Sequence, residues 1–286
     1  MHRQITRLID RQAVWADPLA DRLQPLVVKL FDQRRPVKDA LNGTWLGHPV
    51  HPALTDVPTG AMTLAALFDV TGRDGAADVA IATGLAGMAA AAVTGAADAA
   101  DAERRTRTYA SVHVALMAGS LAAYTLSLML RLGPGFGRPL ARLLAYAGYG
   151  AMTAGAYVGG DLVFRIGNQV DRHAFEAAGG KWKPLDVTQV PPGALVKAKA
   201  GADTILLYRE LEADPISALH AVCAHAGGPL DKGTVLDGCV ECPWHGSQFE
   251  LETGHVRRGP AVFDQPRFEV RETPDSGLEA RRVIPA

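Results

Sequence analysis

Four apolar segments dominate the middle of this 286-residue chain. They run from Ala53 to Val70, Ala77 to Ala97, Tyr109 to Leu130 and Leu143 to Phe164. Each is about the twenty residues that a helix needs to cross a hydrocarbon core of about 30 Å. Charges and turn formers collect in the breaks Gly72-Arg73-Asp74-Gly75, Glu103-Arg104-Arg105 and Gly133-Pro134-Gly135. Val112 to Leu130 carries no charged side chain when His113 is neutral. Gly84, Gly87, Ala91 and Gly95 suit close helix packing in lipid. A soluble alanine-rich bundle competes with this reading, because Asp56, Asp69, Asp98 and Asp161 lie in or near the segments. The expectation is a four-helix transmembrane bundle.

The flanks carry the orientation signal. Arg22, Lys29, Arg34, Arg35 and Lys38 precede the first span, Arg104, Arg105 and Arg107 fill the middle break, and Arg165 and Arg172 follow the fourth. The opposite side has Arg73, Arg131, Arg138 and Arg142. The richer side is expected to face the cytoplasm, with both termini on it. Residues 18 to 33 place Leu19, Leu23, Leu26, Val27, Leu30 and Phe31 at helical spacing, so this helix either lies in the membrane interface or packs on the protein. Pro25 is expected to bend or split it. The first residues, MHRQITRLIDRQ, lack the apolar run of a secretory signal. A net charge of −1 supplies no basic field for nucleic acid. Three cysteines leave one over from any disulfide pairing, which fits a reducing compartment.

After a connection at 169–182 that includes Gly179-Gly180, the texture changes. Ala194-Leu195-Val196, Thr204 to Tyr208, Ala218 to Val222, Thr234-Val235-Leu236, Arg267 to Val270 and Leu278-Glu279-Ala280 read as short strands separated by Gly, Pro and Asp. Among them stand Cys223-Ala224-His225 and Cys242-Pro243-Trp244-His245. Two loops each offering one thiolate and one imidazole suit either a structural zinc ion or a 2Fe–2S cluster. Cys239 reads as a small buried residue on a strand.

The strings CAHAGGPLDKG and CPWHGSQFELETG, followed by Gly259-Pro260-Ala261, resemble the Rieske domain family. The resemblance implies an all-β domain at 183–286, with two ligand loops at one tip. It implies Cys223 and Cys242 on the inner iron, and His225 and His245 on the outer one. It also implies a hydrogen bond to the cluster sulfurs from Ser247. Rieske proteins of cytochrome bc complexes tie the two loops by a disulfide, but Gly228 and Trp244 stand at those positions here. They also place a tyrosine hydroxyl where this chain has Phe249. A missing donor to sulfur lowers the potential, so the lower half of the Rieske range, roughly −150 to +300 mV, is expected.

The string LNGTWLGHPVHPALTDVPTGA and the small-residue spans after it resemble a bacterial four-helix membrane family without assigned chemistry, some members of which are joined to a Rieske domain. The domain expectation is therefore an amphipathic segment at 1–45, the bundle at 46–168, a linker, and the Rieske domain. His48, His51 and His113, with Asp56 and Asp98, are candidates for a haem b or quinone site in the bundle.

The four spans and the resemblances imply a multi-pass protein of the inner (cytoplasmic) membrane, and the basic flanks put its cluster on the cytoplasmic side. It would be a one-electron carrier between redox partner proteins rather than a stand-alone enzyme, with no catalytic residue and no defined small-molecule substrate. Two alternatives stand beside it: a membrane oxidoreductase linking the cluster to a quinone or haem, and a non-catalytic redox sensor.

Overall fold

The computed structural model describes residues 2–133, 137–176, 180–275 and 277–283. The expected turn at Gly133-Pro134-Gly135 and the linker residue Gly179 fall wholly or partly outside them. The chain divides into two compact units, Met1–Leu41 with Pro49–Asn168, and Asn42–His48 with Gln169–Ala286.

The first unit is helical, and its helix count departs from the expected four. Seven helices are described: α1 (His2–Arg11), α2 (Ala13–Asp32), α3 (Arg35–Asn42), α4 (Val50–Val70), α5 (Asp74–Ala99), α6 (Arg104–Leu132) and α7 (Arg138–Phe164). The four apolar segments are the long helices α4 to α7, and three shorter ones precede them. Helix α2 runs unbroken through Pro18 and Pro25. Its packed face, through Ala16, Ala20 and Phe31, holds it together where local sequence predicts a break.

Among the described residues, two of the long helices, α5 and α6, are long and apolar enough by composition to cross a membrane, with mean hydropathies of 1.7 and 1.5 over their best stretches. The other two are diluted by polar and small residues, namely Thr55, Asp56 and Thr59 in α4 and the tyrosines and glycines of α7.

Small residues let the helices approach. A Cβ on Gly84 would lie 2.6 Å from Met62 Cε, and one on Gly148 would lie 2.9 Å from the Tyr124 ring. Helix α4 thereby packs chiefly on α5, and α6 on α7. Met62, Ile81, Tyr124 and Met152 form the shared core. Hydroxyls inside it are satisfied by neighbouring backbone: Ser120 donates to Gly148 O at 2.8 Å and Ser127 to Ala141 O at 2.7 Å. At one end, Arg131 pairs with Asp69 at 2.5 Å with both side chains fully buried. Arg138 and Arg142 bind Asp74 and Asp78 around them. At the other, Gln24 of α2 donates to the carbonyls of Ala99, Ala100 and Ala102, covering the exposed end of α5.

The second unit is β-rich. A six-stranded antiparallel sheet has the order β1-β10-β9-β4-β3-β2, and a four-stranded one the order β5-β6-β7-β8. The strands are β1 (Lys183–Pro184), β2 (Val196–Ala200), β3 (Asp203–Tyr208), β4 (Ser217–His220), β5 (Thr234–Leu236), β6 (Cys239–Glu241), β7 (Gln248–Glu250), β8 (Val256–Arg258), β9 (Arg267–Glu272) and β10 (Leu278–Arg282). The sequence reading missed β1, β7 and β8. These are two or three residues long, too short for alternation to show. Ala194 and Leu195 lie outside β2.

Candidate metal centre

The loop after β4 and the loop between β6 and β7 are built alike. In the first, Cys223 N–H donates to Gly228 O at 2.8 Å and Gly227 N–H donates back to Cys223 O at 2.9 Å. In the second, Cys242 N–H donates to Ser247 O at 2.8 Å and Gly246 N–H to Cys242 O at 3.0 Å. Each turn closes on a glycine of positive φ, 83° at Gly227 and 74° at Gly246, a conformation that other residues adopt only at a cost. This geometry aims backbone N–H groups at sulfur. Those of His225 and Ala226 point to Cys223, and those of Trp244 and His245 to Cys242.

The loops bring all four candidate ligands together. The two thiols share a hydrogen bond. The imidazoles of His225 and His245 stand edge to face with centroids 5.0 Å apart. Cys223 and Cys242 are buried in the core with Val240, Phe249 and Ala261, while both histidines are half-buried. The hydrogen bond from Cys223 lowers the Cys242 pKa to about 7. The same bond, with burial, pushes Cys223 well up. One thiolate is thus available near neutral pH, as metal uptake requires. Two thiolates on the buried side and two imidazoles toward solvent fit an iron pair with mixed donors. Gly228 faces this centre, since a Cβ there would lie 2.7 Å from Cys242 Sγ and 3.2 Å from the Trp244 ring. Ser247 is fully buried, and its Oγ accepts the Ala261 N–H at 3.0 Å. Its own proton remains to donate. Phe249 is fully buried and brings no hydroxyl.

Residues 181–269 match the family model of the Rieske [2Fe-2S] domain. The ferredoxin subunit of anthranilate 1,2-dioxygenase from Burkholderia cepacia is 36% identical over 100 residues, 34% of this chain and 88% of that protein. This chain belongs to the Rieske [2Fe-2S] family. The ferredoxin CarAc of Metapseudomonas resinovorans is 30% identical over 31% of this chain and 81% of its own length. A solved complex of reduced oxygenase and oxidized ferredoxin in carbazole 1,9a-dioxygenase contains a chain that is 25% identical, with 37% of this chain and 96% of that one covered and a TM-score of 0.31. Residues 47–172 match a second family, the predicted membrane protein DUF2231.

The Rieske loops rest on a polar brace that the sequence reading did not find. Gln265 Oε1 accepts from Ala224 N–H at 2.9 Å, and its Nε2 donates to His220 O at 2.7 Å and Val222 O at 2.6 Å. His173 Nε2 lies 2.8 Å from the same Val222 carbonyl. Beside it, Glu176 meets His173 at 3.0 Å and Arg282 at 2.9 Å, with His220 at 3.6 Å. Burial raises the Glu176 pKa, but His173 and the charges around it bring it below its ordinary value. Burial drives His220 down to about 4. Residues so far apart in the chain carry no local signal of this cluster.

Outside the two loops, His255 is exposed, on Asp264. Cys239 is buried on β6, and burial raises its pKa. Trp244, whose ring lies beside Gly228, is 47% exposed. In the first unit, His51 and His113 approach one another, whereas His48 lies in the segment grouped with the second unit. Asp56 is exposed, and the described hydrogen-bond partners of His51 and His113 do not include an aspartate.

Proposed function

We propose that this protein is a membrane-anchored Rieske ferredoxin, a one-electron carrier whose cluster is held by Cys223, Cys242, His225 and His245. The convergence of these four side chains on two matched turns carries the reading. When bound, the cluster takes up and releases one electron. The chain's own groups set how readily it does so. The four N–H groups aimed at the cysteine sulfurs offset their negative charge, and Ser247 adds a hydroxyl. Phe249 withholds the second hydroxyl, which favours a potential in the lower half of the Rieske range. The half-buried histidines form the edge through which the electron passes to a protein partner. The similar ferredoxin subunit serves a dioxygenase, and a protein acceptor is the corresponding partner here. Detergent-purified chain should hold two irons and two sulfides and give a Rieske-type EPR signal on reduction. Colourless protein with one zinc would overturn the assignment.

The anchor is the helical unit, with α5 and α6 as its two apolar spans and the less apolar α4 and α7 completing a four-span bundle. Support comes from aliphatic side chains exposed on all four: Leu67, Val79, Val114 and Leu143 are each more than half exposed. A helix apolar on its outward faces suits lipid. Leu23, Leu26 and Leu30 of α2 are exposed along one face, as an interfacial helix requires. Both termini, and with them residues 183–286, then lie on the cytoplasmic side.

A second reading gives the bundle its own redox group, so that electrons pass between the cluster and a haem or quinone. The pairing of His51 with His113 favours it.

A further inference from the structure

The helical unit contains the same construction twice. His51, at the start of α4, directs Nδ1 to the carbonyl of Ala91 on α5 at 2.8 Å. His113 of α6 directs Nδ1 to the carbonyl of Gly155 on α7, also at 2.8 Å. One helical turn beyond each acceptor stands a glycine under the ring. A Cβ on Gly95 would lie 2.8 Å from His51 Cε1, and a Cβ on Gly159 would lie 3.2 Å from His113 Cε1. Each hairpin thus presents one imidazole in one fixed orientation.

Hydrogen bonding sets the tautomer. A carbonyl accepts only, so each Nδ1 carries the proton and each Nε2 carries the lone pair. Donation of one ring N–H to a backbone carbonyl is the usual support of a metal-bound histidine. The two rings are perpendicular, with centroids 6.3 Å apart. A metal–imidazole bond of about 2.0–2.1 Å places the ring centre about 3.2 Å from the metal, so two imidazoles on opposite sides of one metal have centres about 6.4 Å apart. The observed separation is that of such a pair.

The donor count selects the metal. Among the described residues, no third His, Cys, Asp or Glu joins these two in a ligand cluster. A bare zinc ion takes four ligands. Haem iron brings four nitrogens of its own and takes axial ligands from the protein, often histidine. We infer that His51 and His113 are the two axial ligands of a haem b held between the α4–α5 and α6–α7 hairpins. This deepens the second reading above and is independent of the cluster.

The test uses the full chain, purified in detergent after growth with haem precursor or after reconstitution with hemin. The expected product holds one haem per chain by the pyridine haemochrome assay, with the spectrum of a low-spin, six-coordinate haem. His51→Ala and His113→Ala should each lower haem occupancy by about tenfold or more. His113→Met retains an axial ligand. It should keep the haem with an altered spectrum, which separates lost ligation from lost folding. Cys223→Ser should abolish the Rieske EPR signal and leave the haem in place, so failure of the cluster reading is seen separately. Monodisperse protein that takes up no hemin would overturn the inference. So would haem binding unchanged in the His51→Ala/His113→Ala double variant, or zinc or copper bound through these two histidines.

Discussion

At Ser247 and Gly228 single atoms decide how the cluster is held. Removing the Ser247 hydroxyl takes away the donor proposed for the cluster and leaves the buried Ala261 N–H without its acceptor. Ser247→Ala should therefore lower the reduction potential by about 40 mV, the one-electron equivalent of a hydrogen bond of roughly 1 kcal/mol, with the EPR signal retained. Potentiometry of the purified protein checks it. Gly228 leaves no room for a Cβ beside Cys242 Sγ, at 2.7 Å. Gly228→Ala should reduce iron per chain, read by metal analysis, because the sulfur must move to admit the methyl group. His220 gives the pH dependence. It faces His173, Glu176, Arg282 and Asp203. Its pKa falls from 6.5 to about 4 on folding. Between those values the unfolded chain binds more protons, so stability is complete above the upper value and is lost as pH falls toward the lower. The loss is at most about 3 kcal/mol. Thermal denaturation at pH 7.5 and pH 5 should show it, and His220→Gln should flatten the difference.

Among the elements, a buried ion pair joins α4 to α6 beside their shared apolar core. Asp69 and Arg131 are both fully buried, and Arg131 also reaches Asp78 at 3.1 Å. Taking away one partner strands a charge, so Asp69→Asn should cost about 3–5 kcal/mol, read as a lower Tm in detergent. Replacing both by leucine should cost less than either single change. Helix α2 teaches a related lesson. Two prolines fail to end it because Ala16, Ala20 and Phe31 are buried along its length and Gln24 is tied to the end of α5. Local propensity is a weak force beside such packing.

For the whole molecule, charge placement bears on insertion. Of the four basic residues expected on the far side, Arg131, Arg138 and Arg142 each pair with an aspartate. Arg35, Lys38, Arg105, Arg107 and Arg165 of the opposite flanks are paired as well, so the expected orientation rests on the larger number of basic residues there and not on pairing. A C-terminal green fluorescent protein fusion should fluoresce and a C-terminal alkaline phosphatase fusion should stay inactive. The reverse pattern would place the cluster outside the cytoplasm.

What was legible in the sequence was whatever short-range chemistry writes down. Cys223-Ala224-His225 and Cys242-Pro243-Trp244-His245 mark two candidate ligand loops, because each sets a thiolate and an imidazole close together with a glycine to close the turn. The long apolar runs likewise mark α4 to α7. Tertiary structure decided what depends on residues meeting from afar. It put Gln265 beneath the first loop and Asp69 against Arg131, and it set His51 near His113. These pairings are fixed by helix and sheet packing, which selects among many local possibilities through burial and backbone acceptors that no sequence window contains.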